Sequence, residues 1–120
     1  MQTQWNGDDG QVFFYQSETP YDVPSQGAWM NGAVNGFASY ALGSGVTRHD
    51  AWGLGVYCFF RDDPRVRLAS AIAAPAASGV VFHHAVTVSL GGNGEITHVV
   101  NGSGGSANAT QSIAHLAHFP

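Results

Sequence analysis

The sequence has no lysine and few charged residues of either sign. Charged residues make up 10 % of its 120 residues, against about a quarter in an average domain. Its only basic side chains besides histidine are four arginines, and its formal net charge is −4. Surfaces that bind phosphate groups or anionic lipids need clustered cations. We therefore expect neither nucleic acid nor a membrane surface as a partner.

Cysteine and long apolar runs are also scarce. The single cysteine, Cys58, cannot form an internal disulfide, and its apolar neighbours predict a small buried side chain. No apolar run approaches the roughly 20 residues needed to cross a bilayer, and the first residues are polar, so no signal peptide is visible. Sixteen glycines and many uncharged polar side chains are typical of secreted proteins that meet sugars. We therefore expect a secreted, extracellular protein.

Glycine and proline divide the chain into short apolar runs. The clearest strand is predicted at 79–90, where apolar residues alternate, and Gly91–Gly94 predicts a hairpin to a return strand at 95–101. Residues 112–119 could instead form one or two helical turns. The pattern predicts an all-β single domain over 1–120, a sandwich or small barrel, with flexible residues 1–10. The other predicted strands lie at 12–15, 28–30, 37–42, 51–60 and 65–72.

The motifs of most hydrolases and nucleotide-binding proteins are missing. There is no Gly-x-Ser-x-Gly nucleophile motif, and the glycine runs open no helix, so they match no phosphate loop. Glycoside hydrolysis needs two carboxyl groups that face one cleft. Asp22, Asp50 and Glu95 are loose candidates, with no spacing that ties them together. The pairs Asp8-Asp9 and Asp62-Asp63 are typical of solvated turns.

Histidine is the informative residue, with six copies. A hairpin at Gly91–Gly94 would bring His98 towards His83, and His49 would arrive on a neighbouring strand. Three converging imidazoles predict a Zn, Cu or Fe site. His84 is the second choice to His83, because it shares the face of the apolar strand residues. The alternative, that each histidine is only structural, stays open.

Aromatic residues in loop-like sequence are the second feature. Trp5, Trp29 and Tyr21 lie in segments rich in glycine and proline, where their rings could be exposed. An exposed aromatic ring has a flat apolar face and, in Trp and Tyr, a polar tip. These three residues are therefore predicted to bind sugar rings.

Two blocks carry a family resemblance that covers about residues 11–118. They are the run from His49 to Gly55, His-Asp-Ala-Trp-Gly-Leu-Gly, and the run from Thr87 to Gly94, Thr-Val-Ser-Leu-Gly-Gly-Asn-Gly. The chain resembles the C-terminal cupin-like module of secreted bacterial β-helix proteins of carbohydrate metabolism. It also resembles compact cupin-type copper enzymes that cleave cellulose by oxidation.

The second resemblance implies a jelly-roll, cupin-like barrel with one copper ion, held and used in catalysis by His49, His83 and His98. It implies oxidative cleavage of cellulose or a related β-glucan, with an electron donor plus oxygen or with hydrogen peroxide. A homodimer is expected, because cupins often pair to cover strand edges. Two alternatives remain: a non-catalytic carbohydrate-binding module of a secreted glycoside-hydrolase-like protein, and a Zn or Fe cupin acting on a small molecule.

Overall fold

The computed structural model describes all residues from 1 to 120, and nearly all regular structure in it is β-strand. One short 3₁₀ helix covers Gln26–Ala28, and no helix is long and apolar enough to cross a membrane. The strands are β1 (Thr3–Trp5), β2 (Gly10–Phe13), β3 (Gln16–Glu18), β4 (Met30–Asn31), β5 (Val34–Asn35), β6 (Tyr40–Leu42), β7 (Arg48–Trp52), β8 (Gly55–Cys58), β9 (Arg67–Leu68), β10 (Ile72–Ala73), β11 (Gly79–Ser89), β12 (Glu95–Ile96), β13 (Ala107–Asn108) and β14 (Ile113–Phe119).

The chain winds into stacked coils of three strands each: β1 to β3, β6 to β8, and β10 with the two halves of β11. Equivalent strands of successive coils pair in parallel. Strands β1, β6 and β10 form one sheet, and β2, β7 and the first half of β11 form a second row. Strands β3, β8 and the second half of β11 continue that row after a bend. A fourth coil begins where Val100 bridges Ile72 in parallel. Finally, β14 runs antiparallel along β11 and covers its free edge.

A bend between the second and third strand of each coil repeats at Phe14, Gly53 and His84. All three residues have a positive φ, of 57°, 68° and 54° respectively. The backbone N–H of Phe14 donates to Trp52 O and that of Gly53 donates to His83 O, each at 2.9 Å. The bends therefore stack on one another, and each aligns the next strand of its coil with the equivalent strand of its neighbour.

The sheets enclose one apolar core, as the layers of a β-sandwich do. Tyr40 of β6 reaches across to the second sheet, where its ring centroid lies 6.4 Å from that of Phe82. Alternate residues of each strand point inwards, so interior side chains stack in columns, such as Val12, Ala51 and Phe82. Twenty-one buried apolar residues form a single cluster.

The prediction of an all-β fold with sandwich-like layers is confirmed, and the strand predicted at 79–90 matches β11 closely. Strand direction differs from that of a jelly roll, because seven of the ten strand pairs are parallel. The hairpin predicted at Gly91–Gly94 is wrong: β12 pairs in parallel with β9 and antiparallel with β13. The helical turns predicted at 112–119 are also wrong, because pairing with β11 holds this segment extended. Residues 1–10, predicted to be flexible, include β1, which pairs with β6.

The stacked bends predict a specific sensitivity at Gly53. A side chain there would be strained by the positive φ, and its Cβ would lie 3.2 Å from Cδ1 of Phe14. Gly53→Ala is expected to lower the free energy of unfolding by about 1–2 kcal/mol, measured by urea denaturation. Gly45→Ala is the matched control, since its Cβ would meet nothing within 4 Å. Equal midpoints for the two variants would contradict this account of the bend.

Candidate functional site

Ion pairs occupy every arginine and half of the carboxylates. Each arginine pairs with one acidic side chain, at nitrogen–oxygen distances of 2.5–3.0 Å. Asp8 is also engaged, because it accepts hydrogen bonds from the backbone N–H groups of Thr47 and Arg48, which lower its pKa. Three carboxylates lack such partners: Glu18, Asp22 and Asp50. The four ion pairs are Arg48–Asp9, Arg61–Asp62, Arg65–Asp63 and Arg67–Glu95.

Glu18 lies in the largest surface cavity of the protein, which we call the Glu18 cavity. It has a volume of about 480 Å³ and is open to solvent. This volume falls in the range of small-molecule sites, roughly 300–1,000 Å³. Its walls combine a carboxylate, an amide, an aromatic ring and an aliphatic side chain. The lining residues are Gln16, Ser17, Glu18, Tyr57 and Leu90.

The stacking of coils brings these side chains together. Strands β3 and β8 pair in parallel, with Gln16 beside Gly55 and Glu18 beside Tyr57. Gly55 has no side chain, so the Tyr57 ring folds over it; a Cβ there would lie 3.1 Å from Tyr57 Cε2. The Gln16 amide then donates to the Tyr57 hydroxyl at 3.4 Å. Glu18 and Tyr57 thus stand side by side on the outer face of the sheet.

Tyr21 fixes the Glu18 carboxylate from the other side. Its hydroxyl donates a hydrogen bond to Glu18 Oε2, and this bond raises the pKa of the Tyr21 hydroxyl. The Tyr21 ring packs edge-on against Phe59, with centroids 5.5 Å apart. Glu18 therefore has no cation beside it but does have a positioned hydrogen-bond donor. The arrangement can present a carboxylate to the hydroxyl groups of a bound sugar.

A second outer surface lies on β2, β7 and β11. The rings of Phe13, Trp52 and His83 stack with centroids 4.8 and 4.9 Å apart and interplanar angles of 7° and 6°. Asp50 lies beside this row, with its Oδ1 3.8 Å from His83 Nε2. Trp52 is covered on both faces, whereas Phe13 at the end of the row stacks on one face only and is 59 % exposed.

His49 points into the core. Its Nε2 forms a hydrogen bond of 2.9 Å with the Tyr40 hydroxyl, and its Nδ1 is buried without a partner. Burial lowers the pKa of His49, with the charge of Asp50 acting in the opposite direction, and burial raises the pKa of Tyr40 to about 12. Both groups are therefore neutral at pH 7.

The structure does not bring His49, His83 and His98 together. His49 lies inside the core, whereas His83 lies on the outer face, stacked on Trp52 and 5.2 Å from His118. His98 belongs to a different sheet from both, because it follows β12, which pairs with β9. Its Nδ1 forms a hydrogen bond of 3.1 Å with Ala69 O. The second choice, His84, stacks on His115. No group of three or more His, Cys, Asp or Glu side chains could hold a metal ion.

The three aromatic residues predicted to bind sugar rings, Trp5, Trp29 and Tyr21, do not lie together in the structure. Trp5 packs edge-on against His49, and its Nε1 donates to Gly7 O. Trp29 packs against Phe60, with centroids 5.5 Å apart. Only Tyr21 lies beside the Glu18 cavity, with 40 % of its surface exposed.

Comparison with known proteins adds a specific similarity. No protein-family model matches the chain. An exo-β-1,3-glucanase of Streptomyces sp. (strain SirexAA-E / ActE) is 41 % identical over 118 residues, which are 98 % of this chain and 20 % of that protein. The solved structure of sacteLam55A from Streptomyces sp. SirexAA-E superposes with a TM-score of 0.92 at 41 % identity, over 98 % of this chain and 22 % of that one.

A second solved structure is a glutamate-to-alanine variant of sacteLam55A in complex with glucose. It has a TM-score of 0.92 at 40 % identity and covers 98 % of this chain and 21 % of that one. The chain thus spans about a fifth of the length of these relatives.

These similarities overturn the interpretation of the chain as an oxidative, copper-dependent enzyme. The relative is named as a glucanase, a glycoside hydrolase, and not as an oxidative enzyme, so the resemblance to copper cellulose-cleaving enzymes was wrong. The prediction of oxidoreductase activity, which depended on that resemblance, is therefore also wrong. Copper binding itself stays an untested prediction from the sequence, and the separation of the three histidines provides no three-imidazole centre for it.

Sequence reasoning missed Glu18. It named Asp22, Asp50 and Glu95 as loose carboxylates, but Glu95 pairs with Arg67 at 2.9 Å. A usable signal was present. The chain has only two glutamates, and Glu18 stands three residues before Tyr21 in a proline-containing turn.

The buried His49 predicts a pH dependence of stability. Its folded-state pKa is lowered, so the unfolded state takes up a proton first as pH falls below about 6.5. This group's contribution is complete above that pH and is lost as the pH falls towards the folded-state pKa. His49→Gln keeps a hydrogen-bonding partner for Tyr40 and should flatten the decline in unfolding free energy between pH 7 and 5. Urea denaturation at each pH measures this, and parallel profiles for the two proteins would refute it.

Proposed function

We propose that this chain is a β-1,3-glucan-binding unit of a glycoside hydrolase. The observation that carries the proposal is the Glu18 cavity, with a carboxylate, an amide and an aromatic ring on adjacent strands. The similarity to an exo-β-1,3-glucanase over 98 % of the chain supports the substrate class.

Each wall of the cavity has a role in this proposal. The exposed part of the Tyr57 ring and Leu90 supply apolar surface for the C–H face of a glucose ring. Glu18 accepts hydrogen bonds from sugar hydroxyls, and hydrogen bonds to a charged acceptor are stronger than those to neutral groups. Gln16 can donate and accept, and its bond to Tyr57 OH orients both groups. Such a mixture of apolar surface and a few placed polar groups is typical of small-molecule sites.

Binding without cleavage is proposed for the 120 residues alone. Glycoside hydrolysis uses two carboxyl groups on opposite sides of the bond, and Glu18 is the one acidic residue lining the cavity. The chain covers about a fifth of its relatives, so the rest of a hydrolase can supply a second carboxyl group. Secretion and a homodimer stay predictions from the sequence.

The first test is binding. Titration with a β-1,3-linked glucose trimer, followed by calorimetry, should show saturable binding and no released glucose. Tyr57→Ala should weaken binding at least tenfold. Glu18→Gln should weaken it by about five- to tenfold, because the amide oxygen still accepts a hydrogen bond and only the contribution of the charge is lost. Asp50→Asn is the control for a carboxylate on the other surface and should bind like the wild type. Unchanged affinity in Tyr57→Ala, or an equal loss in Asp50→Asn, would place binding elsewhere.

A second candidate function is that Glu18 takes part in the hydrolysis when this unit belongs to a complete enzyme. The observation that favours it is the hydrogen bond from Tyr21, which holds a carboxylate with no arginine beside it. In a full-length hydrolase containing this unit, Glu18→Gln should lower kcat at least 100-fold and change KM little. Tyr21→Phe should lower kcat less, because only the orientation of the carboxylate is lost. A Glu18→Gln enzyme with normal kcat would exclude this role.

A further inference from the structure

Gly55 is the one outward position without a side chain in the row of strands that carries the Glu18 cavity. Side chains alternate along β3, β8 and the second half of β11, with Val56 and Thr87 fully buried on the inner face. In the register, Gly55 lies between Gln16 of β3 and Val86 of β11. The outer surface therefore has a gap at this position. The outward positions of the row are Gln16, Glu18, Gly55, Tyr57, Val86 and Val88.

The Tyr57 ring fills this gap. Side chains of a strand ordinarily stand roughly perpendicular to the sheet, but the far end of Tyr57 lies back over Gly55. A Cβ on Gly55 would lie 3.1 Å from Cε2, 3.2 Å from the hydroxyl oxygen and 3.5 Å from Cζ of Tyr57. Gly55 is buried although its position faces outward, because the ring covers it. Tyr57 is half-buried and lines the cavity, so one side of the ring rests on the strand and the other faces the cavity.

A tyrosine ring that lies down suits a sugar better than one that stands up. A pyranose ring presents a face of C–H groups, which packs on the flat apolar face of an aromatic side chain. Glu18 stands beside Tyr57 on the neighbouring strand, so a sugar lying on the ring brings its edge of hydroxyl groups towards the carboxylate. A standing ring would take up part of the cavity and turn its edge to the sugar.

We infer that Gly55 is a positioning residue for sugar binding. It does not line the cavity, but the space above it lets the Tyr57 ring lie flat as the cavity floor. The inference rests on the proposed function, because the orientation of the floor matters only if the cavity binds a sugar. The Gln16 amide adds a second restraint through its hydrogen bond to the Tyr57 hydroxyl. That bond is long, at 3.4 Å, so the space over Gly55 is the stronger restraint.

Gly55→Val tests the inference, with calorimetric titration of the β-1,3-linked glucose trimer as the readout. Valine suits a strand, and Gly55 has no positive φ, so the variant should fold, which urea denaturation verifies. Its side chain lifts the ring, and binding should weaken about tenfold, as in Tyr57→Ala. Gly55→Ala adds one methyl group and should weaken binding less, by about threefold. Gly45→Val is the matched control and should bind like the wild type, since a Cβ there meets nothing within 4 Å.

A double variant separates this indirect role from a general disturbance of the site. Adding Gly55→Val to Tyr57→Ala should weaken binding by less than about twofold further, because no ring remains to be lifted. Tyr57→Phe keeps a ring over Gly55 and loses only the hydroxyl, so it should bind within about threefold of the wild type. A further tenfold loss in the double variant, or a loss in Tyr57→Phe as large as in Tyr57→Ala, would overturn the inference.

The same titrations distinguish a failure of this inference from a failure of the proposed function. A wild-type protein that does not bind the trimer overturns both. A wild-type protein that binds it, together with a folded Gly55→Val variant that binds equally well, overturns only the role of Gly55 and leaves the Glu18 cavity as the binding site.

Discussion

Hydrogen bonding between equivalent strands of successive coils is the interaction on which the rest of this structure depends. It fixes which residue of one coil lies beside which residue of the next, as Tyr40 lies beside Thr3 and Ile72. Because side chains alternate between the two faces of a strand, a slip of one residue would exchange interior and exterior. The repeated positive-φ bends hold this register at each turn of the chain.

Because the register is fixed, residues at equivalent positions of successive coils line up in columns across the sheet. The wall of the Glu18 cavity and the row of stacked rings are both built on such columns. Glu18, Tyr57 and Val88 form one outward column, and Phe13, Trp52 and His83 form another. The first changes from carboxylate to aromatic to aliphatic, so it offers different chemistry at each level. The second consists of flat rings that stack on one another. The same geometry therefore produces one outer surface of mixed chemistry and one of stacked rings that ends in the exposed Phe13.

Local sequence patterns predicted where strands lie better than they predicted which strands pair with each other. Alternation at 79–90 identified β11 because one face of that strand is buried. The Gly91–Gly94 run signals a hairpin locally, but the following residues pair with β9, a long-range choice that no turn motif encodes. The three-histidine site failed for the same reason, because it rested on hairpin register. The sequence did not single out Glu18, because what distinguishes this carboxylate is that no arginine pairs with it. That can be seen only when the partner of each arginine is known in three dimensions.

The packing around Gly10 also constrains how this sequence can change. A Cβ at Gly10 would lie 2.6 Å from Trp5 Cε2 and 2.7 Å from His49 Nδ1, so the indole and the imidazole occupy the space that a side chain would need. Any larger residue at position 10 requires smaller ones at 5 or 49, and a smaller residue at 49 also leaves the Tyr40 hydroxyl without its partner. Positions 5, 10 and 49 are far apart in the chain but share one space, so a designed change at one of them has to be matched at another.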